Sequence, residues 1–333
     1  MGVEGVVMVR VKGGLRRLAM PIAMAVALWS GTMAPASASP LGPARYSAIL
    51  IDADDGSVLY SQAAEEIHHP ASITKVMTLF LAFDALDAGR LNLSDRIVMT
   101  AHAAAQKPSK LGLRPGQTIS VEDAIRVIAV KSANDVAVAL AERLGGSEQA
   151  FARMMTVKAR MLGMRQTMFS NATGLPDPAT FTSAHDLGLL SLAMLHDHPD
   201  RYRYFSTRSF SWGAQRMTNH NHLLGTVAGV DGIKTGYTVE AGFTLAASAI
   251  RGGHRLVAVV MGEPTRMVRD RHVATLLEAG FTALDRRAHG SDVPVSSLLG
   301  GLLDEVPSGL SPAVLSAIAR SEADEAVMGN DRD

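Results

Sequence analysis

From Tyr46 onward the apolar and polar residues change period several times, and each change predicts an element. Two short apolar runs, Ser47 to Ile51 and Val58 to Tyr60, flank the turn-forming cluster Asp54-Asp55-Gly56-Ser57, which predicts a β-hairpin. Pro70 then leads an apolar stretch through Val76, Met77, Leu79, Phe80 and Leu81 to near Gly89. Proline fits a helix's first turn and not its interior, so a helix is predicted to start there. Residues 94–105 and 112–116 read as connecting structure with turns. Ser120 has an acidic residue three places on, and positions 124, 125, 127, 128 and 130 are apolar at helical spacing. A second run, Val136 to Leu144, closes at Gly145-Gly146, so Ser132-Ala133-Asn134 falls at a junction between two helices. Further helices are predicted over residues 147–164 and 183–196, with a loop over 169–178. After Asn219 the pattern turns strand-like at Val230 to Gly236, Phe243 to Ile250 and Arg255 to Met261, the last two around Gly252-Gly253. Residues 266–287 close the series as a helix.

The order is hairpin, helical block, strands, helix. It predicts an α+β fold whose antiparallel sheet collects strands from both ends of one domain spanning about residues 44–287. Composition agrees: 333 residues at 47% hydrophobic and 19% charged can build a sizeable core. Zero formal charge gives no reason to expect a nucleic-acid partner, and the absence of cysteine excludes disulfides, thiol catalysis and thiolate zinc sites. Before this domain, Arg10, Lys12, Arg16 and Arg17 precede the apolar run Leu18 to Leu28 and the small residues Ala36-Ser37-Ala38. That is the pattern of a signal peptide over residues 1–38, which predicts export to the periplasm or cell envelope. Beyond the domain, residues 288–333 read as a tail, partly disordered, with a short helix over 312–321.

Three short patterns carry the chemistry. Ser72-Ile73-Thr74-Lys75 puts a hydroxyl and an amine three positions apart, on one face if helical, which is a nucleophile beside a base. Taken alone, a capping serine and a solvated lysine explain this pattern equally well. Ser132-Ala133-Asn134 and Lys234-Thr235-Gly236 are the other two, and each of the three patterns occurs once, in this order. A given lysine is followed by Thr-Gly by chance only about once in 200 times at average composition. Together they resemble the penicillin-recognising serine acyltransferases, which include the D-alanyl-D-alanine carboxypeptidases and the serine β-lactamases. Lys110 to Leu113, Phe169 to Leu175 and Asp231 to Thr238 extend the likeness to low-molecular-mass D,D-carboxypeptidases over nearly all of residues 44–287.

The resemblance implies a β-lactamase/transpeptidase-like fold, an antiparallel sheet flanked by helices beside an all-helical lobe, with the site in the cleft between them. It implies catalytic roles for Ser72 as nucleophile, Lys75 as base and Ser132 as proton relay. Asn134 would orient the substrate amide, and Lys234, Thr235 and Arg269 would bind the terminal carboxylate, with Arg266 a competitor for the arginine's role. The backbone N–H groups of Ser72 and Tyr237 would hold the oxyanion, and Gly236 would let the strand approach substrate. Asp186 is expected to be structural. No cofactor or metal is expected: His196, His198, His220 and His222 form pairs without a zinc motif. The expected partners are peptidoglycan stem peptides ending in D-Ala-D-Ala, with β-lactams as covalent inhibitors, and no membrane-binding amphipathic helix is read in the tail. The expected activity is D-Ala-D-Ala carboxypeptidase; the alternative is a D,D-endopeptidase acting on crosslinks. No Glu-x-x-Leu-Asn pattern is present to activate deacylating water, which disfavours a β-lactamase, and intact triplets disfavour a non-catalytic wall-binding module. Two departures from relatives bear on substrate detail: His220 stands where some carry Arg, and Pro178 to Phe181 lacks a histidine often found there.

Overall fold

The computed structural model describes residues 46–304. The chain opens with the hairpin of β1 (Ser47–Asp52) and β2 (Val58–Gln62), followed by a 3-10 turn at Ala71–Ile73 and helix α1 (Thr74–Asp87). The segment expected to be only connecting structure instead forms β3 (Arg96–Val98), α2 (Ala101–Ala104) and β4 (Thr118–Ser120). β3 and β4 pair as a separate two-stranded ladder, with Ile97 opposite Ile119. Next come α3 (Val121–Lys131), α4 (Asn134–Gly145), α5 (Glu148–Met161), α6 (Ala184–Asp197) and the single turn α7 (Pro199–Tyr202). A small hairpin of β5 (Ser209–Trp212) and β6 (Gln215–Thr218) precedes the long strands β7 (Val230–Thr238), β8 (Gly242–Arg251) and β9 (His254–Glu263). α8 (Arg266–Ala288) and α9 (Val295–Asp304) complete the described chain.

The helix starts follow from the serines and threonines that precede them. Ser120, Ser147, Ser183 and Thr265 each accept a hydrogen bond from the backbone N–H three residues on, closing the first turns of α3, α5, α6 and α8. The main sheet is antiparallel, with strand order β2-β1-β9-β8-β7. β1 sits between its hairpin partner and β9, with Ala48 opposite Val260 and Leu50 opposite Ala258. Strands from both ends of the domain therefore share one sheet, as the element order predicts.

Alternation along these strands divides the core in two. Ile49, Ile51, Val257, Val259 and Met261 face one side, where α1, α3, α4 and α6 supply Phe80 and Phe83, Ile128, Leu140 and Leu187. Leu50, Leu245, Leu256 and Val260 face the other, where α8 supplies Val273, Leu276 and Leu277. β1 is buried at all six positions, which is why it reads as a continuous apolar run rather than as an alternating one. The result is helix, sheet, helix beside a lobe built from α1 to α5.

The tail expectation needs correcting at its start. α9 occupies 295–304, and its Val295 and Leu299, one helical turn apart, are buried against the α8 side of the core. Gly300-Gly301 and the short apolar run hide this helix from a periodicity reading. The expected signal peptide over residues 1–38 and the helix expected over 312–321 lie outside the described residues. Among the described residues no helix is long and apolar enough to cross a membrane.

β1 is paired along both edges inside the main sheet. Leu50 is fully buried between β9 and α8, so Leu50→Ala is expected to cost about 2–5 kcal/mol. Urea denaturation should show a lower midpoint with an unchanged slope.

Candidate active site

Ser72 is not where a regular helix would put it. Proline at 70 was expected to start the helix; instead Ser72 lies in the 3-10 turn, and α1 begins two residues later. The reason is tertiary crowding. A Cβ on Gly236 of β7 would lie 3.0 Å from the Ser72 backbone nitrogen, and a Cβ on Gly174 would collide with the Ala71 carbonyl. Ala71 takes φ +47° between these two close approaches, a conformation that costs a non-glycine residue about 1–3 kcal/mol. Ser72 does not cap the helix; its hydroxyl is left for Lys75.

Lys75, in the first turn of α1, is fully buried. Its Nζ lies 3.0 Å from Ser72 Oγ and donates to the Thr173 carbonyl at 2.7 Å. That carbonyl is held in place by Asn171, whose Oδ1 accepts from the Thr173 and Gly174 N–H groups at 3.1 and 2.7 Å. Burial holds the Lys75 ammonium well below its ordinary pKa, and the nearby Lys234 charge pushes the same way. A neutral amine can keep its donation to Thr173 while turning its lone pair toward Ser72.

Ser132 caps α3 in the left-handed region at φ +63°. Its Oγ is buried and without a hydrogen-bond partner among the described residues. Asn134 starts α4, and its Nδ2 donates to the carbonyls of Lys107 and Pro108 at 2.9 and 3.0 Å. With those two hydrogens committed, its carbonyl oxygen is the group left to meet a ligand's N–H. The neighbouring Asp135 was not foreseen. It is fully buried and accepts from the N–H groups of Leu111, Gly112 and Val136 at 2.8–2.9 Å. This carboxylate ties the 107–113 segment to the start of α4 and so sets the wall that holds Asn134.

A cavity of about 230 Å³ gathers Ser72, Ser132, Asn134, Thr235, Gly236, Tyr237 and Arg269 along one lining. Seven of the nine residues singled out in the sequence thus meet in one place; the other two, Lys75 and Lys234, are buried behind it. Tyr237 is exposed at the rim and stacks on Phe243, ring centres 4.2 Å apart. Arg269 is buried and paired with Asp270 through Nε and Nη2 at 2.9 and 2.6 Å, so one edge of its fork is occupied. Arg266, the competing residue, lines the same cavity. So does His220, on a loop held by Asn219 to the Thr207 carbonyl and by Asn221 to the Gly232 carbonyl. Its pKa is pushed down to about 3, first by burial and then by Lys234, Arg266, Lys131 and His222. His220 is therefore a neutral donor and acceptor in a cationic pocket. Asp186 is buried away from the cavity lining and accepts from the Gln166 N–H and the Thr167 hydroxyl, which is a structural role.

The family model for D-alanyl-D-alanine carboxypeptidase matches residues 35–265. The chain belongs to this family. It is 38% identical over 245 residues to D-alanyl-D-alanine carboxypeptidase DacF of Bacillus subtilis, which covers 71% of this chain and 62% of the relative. It is 31% identical over 271 residues to D-alanyl-D-alanine carboxypeptidase DacB2 of Mycobacterium tuberculosis, covering 77% of this chain and 89% of the relative. Penicillin-binding protein D2 from Listeria monocytogenes, solved in a cefotaxime-bound form, matches with a TM-score of 0.65 at 32% identity over 71% of this chain and 96% of that one. The chain spans 62% of the length of the Bacillus relative. The expected mixed α/β fold, with an antiparallel sheet flanked by helices, is the one these penicillin-binding neighbours share.

As for metal-ligating groups, the histidine pairs do not form a cluster with other ligands among the described residues. Asp52, Asp54 and His254 do bring ligand atoms within 4.8 Å of one another, but they lie at the β1–β2 and β8–β9 turns, outside the cavity lining, and Asp54 and His254 already pair at 3.2 Å.

The buried amine has a thermodynamic signature. Because the folded state binds the Lys75 proton less tightly than the unfolded chain, stability rises with pH above the depressed pKa until about 10.5. Lys75→Met removes that dependence. The stability of wild type relative to Lys75→Met should climb with pH by up to about 1.4 kcal/mol per unit in that window, measured by chemical denaturation between pH 6 and 10.

Proposed function

We propose that this chain is a serine-type D-Ala-D-Ala carboxypeptidase that removes the terminal D-alanine from peptidoglycan stem peptides through an acyl-enzyme on Ser72, and that β-lactams acylate the same serine. The observation that carries the reading is the 3.0 Å approach of Ser72 Oγ to a buried amine that burial and Lys234 drive toward its neutral form. Only the neutral amine can accept the hydroxyl proton as Oγ attacks the peptide carbonyl. The tetrahedral oxygen would lie between the backbone N–H groups of Ser72 and Tyr237. Gly236 supports this: its lack of a side chain brings β7 against the Ser72 backbone.

Ser132 Oγ, buried and without another partner among the described residues, would pass the proton from Lys75 to the departing D-alanine amine. Water would then hydrolyse the ester, with Lys75 again as base. Asn134 would accept from the substrate amide. Lys234 and Thr235 would hold the terminal carboxylate. Arg266 and the remaining edge of Arg269, both on the cavity lining, would complete that cationic end. Residues 1–38 would direct export, placing the enzyme in the periplasm or cell envelope, where peptidoglycan trimming contributes to cell-wall maturation and cell shape.

Incubation with a peptide ending in D-Ala-D-Ala should release D-alanine, and Ser72→Ala should lower kcat by at least about 10⁴-fold. Wild type and Ser72→Ala equally inert, with both retaining wall fragments, would make the chain a binding module instead. The same assay on crosslinked muropeptides distinguishes endopeptidase action. Benzylpenicillin should leave a persistent adduct on Ser72 in a mass spectrum; many turnovers per second without one would indicate a β-lactamase.

Lys234 gives a second check, because it adds to the effect of burial on Lys75. Without it the Lys75 pKa rises, so the acid limb of the acylation profile should move to higher pH in Lys234→Ala. The loss at saturating β-lactam should then be greater at pH 6 than at pH 9. An unchanged profile would show that burial alone sets the base.

A further inference from the structure

A second cavity, of about 190 Å³, adjoins the one at Ser72 and shares Gly174, Leu175 and Thr238 with it. Its lining is unusual in what it can offer a ligand. Pro70, Pro176 and Pro178 have no N–H to donate. Asp177 and Glu240 contribute carboxylates, and among the described residues no lysine or arginine lines the space. His69 donates through Nδ1 to the Thr180 carbonyl at 2.8 Å, which in the neutral ring leaves Nε2 as an acceptor. The cavity is thus apolar along its walls and rich in acceptors, the setting that suits an ammonium group on an aliphatic stem.

Its position relative to β7 says which part of a substrate reaches it. Among the described residues β7 is the last strand of the sheet, and its outer edge, with no strand paired to it there, can take an extended peptide as an added strand. Lys234 is buried toward one end of the stretch along the cleft, and Arg266 and Arg269 line the first cavity. Gly236 lies against Ser72, and Thr238 borders the second cavity. Lys234 to Thr238 is four steps along the strand, about 13 Å. A peptide with its carboxylate at Lys234 and its scissile bond at Ser72 then presents the residue before the D-Ala-D-Ala pair beside Thr238. The cleft is electrically asymmetric along this path, cationic where the carboxylate binds and anionic where that side chain arrives.

We propose that this acidic cavity is a subsite for a free side-chain ammonium on the residue preceding the D-Ala-D-Ala pair, so that the enzyme selects stem peptides whose diamino-acid side chain has not been acylated or crosslinked. The proposal rests on the carboxypeptidase reading above. Glu240 supplies the main charge recognition. Asp177 also holds its own turn, accepting from the Ala179 N–H at 2.8 Å.

The test uses three peptides of the form acetyl-X-D-Ala-D-Ala, with X as lysine, Nε-acetyllysine or norleucine, and follows D-alanine release by the full chain. Wild type should favour the free lysine peptide over the other two by at least tenfold in kcat/KM, mostly through KM, with the preference shrinking as salt is raised. In Glu240→Gln the preference should fall below threefold. In Glu240→Lys it should turn toward an Nε-succinyllysine peptide, which carries a carboxylate. Thermal unfolding of the variants checks that they fold, and the ratio between peptides is internal to each variant. Equal release from all three peptides by wild type would overturn the subsite alone. No release from any of them would overturn the carboxypeptidase reading and the subsite with it.

Discussion

The arrangement on which the rest of the site depends is one amine kept out of water. Lys75 sits fully buried in the first turn of α1 with a hydroxyl on one side and a carbonyl on the other. Burying an ammonium is costly, and that cost pushes the Lys75 pKa well below its ordinary value. The surroundings are built to keep it so. Asn171 organises the loop that aims the Thr173 carbonyl, and the core on the α1 side of the sheet excludes water from behind. Lys234 approaches from β7 and disfavours the charge further.

The same crowding that dries Lys75 also shapes the backbone at Ser72. Gly174 and Gly236 allow two other segments to press on Ala71 and Ser72, and the left-handed turn at Ala71 is the consequence. Ser132 repeats the device on the opposite wall, held at positive φ with its hydroxyl unmatched by any described partner. Strain of this kind persists only where the surrounding structure over-determines it, and here β7, α3 and the loop containing Gly174 do so together. Charge is distributed along the cleft in a matching way, with Lys234, Arg266 and Arg269 at one end and Asp177 and Glu240 beyond the other.

Much of this was legible beforehand, for definite reasons. The three triplets are local, and residues spaced by three positions or fewer travel together whatever the fold does. The sheet strands announced themselves through apolar runs, and the helix starts through serines that cap them. The β3–β4 pair and the β5–β6 hairpin were not legible, because they are short and largely exposed and bury few side chains. Asp135 escaped notice because a buried carboxylate bonded to three backbone N–H groups looks, in sequence, like any acidic residue in a helix's first turn. Arg269 looked like a ligand for a carboxylate, and only the folded chain reveals that Asp270 already takes one edge of it.

By itself the sequence determined the family, the order of elements and the identities of the hydroxyl, the amines and the amide that meet at Ser72. These depend on residue type and short spacing, which are properties of the chain alone. The tertiary structure decided everything that depends on distance between remote segments: that Ser72 leaves the helix, that Lys75 is buried and its pKa lowered, and that His220 is neutral among cations. It also decided that an acidic cavity adjoins the cleft at Ser72, since Asp177 and Glu240 come together only when the loop after α5 and the β7–β8 turn fold against the same 3-10 turn. Desolvation and electrostatic coupling have no local signature, because both arise from what the rest of the chain brings near.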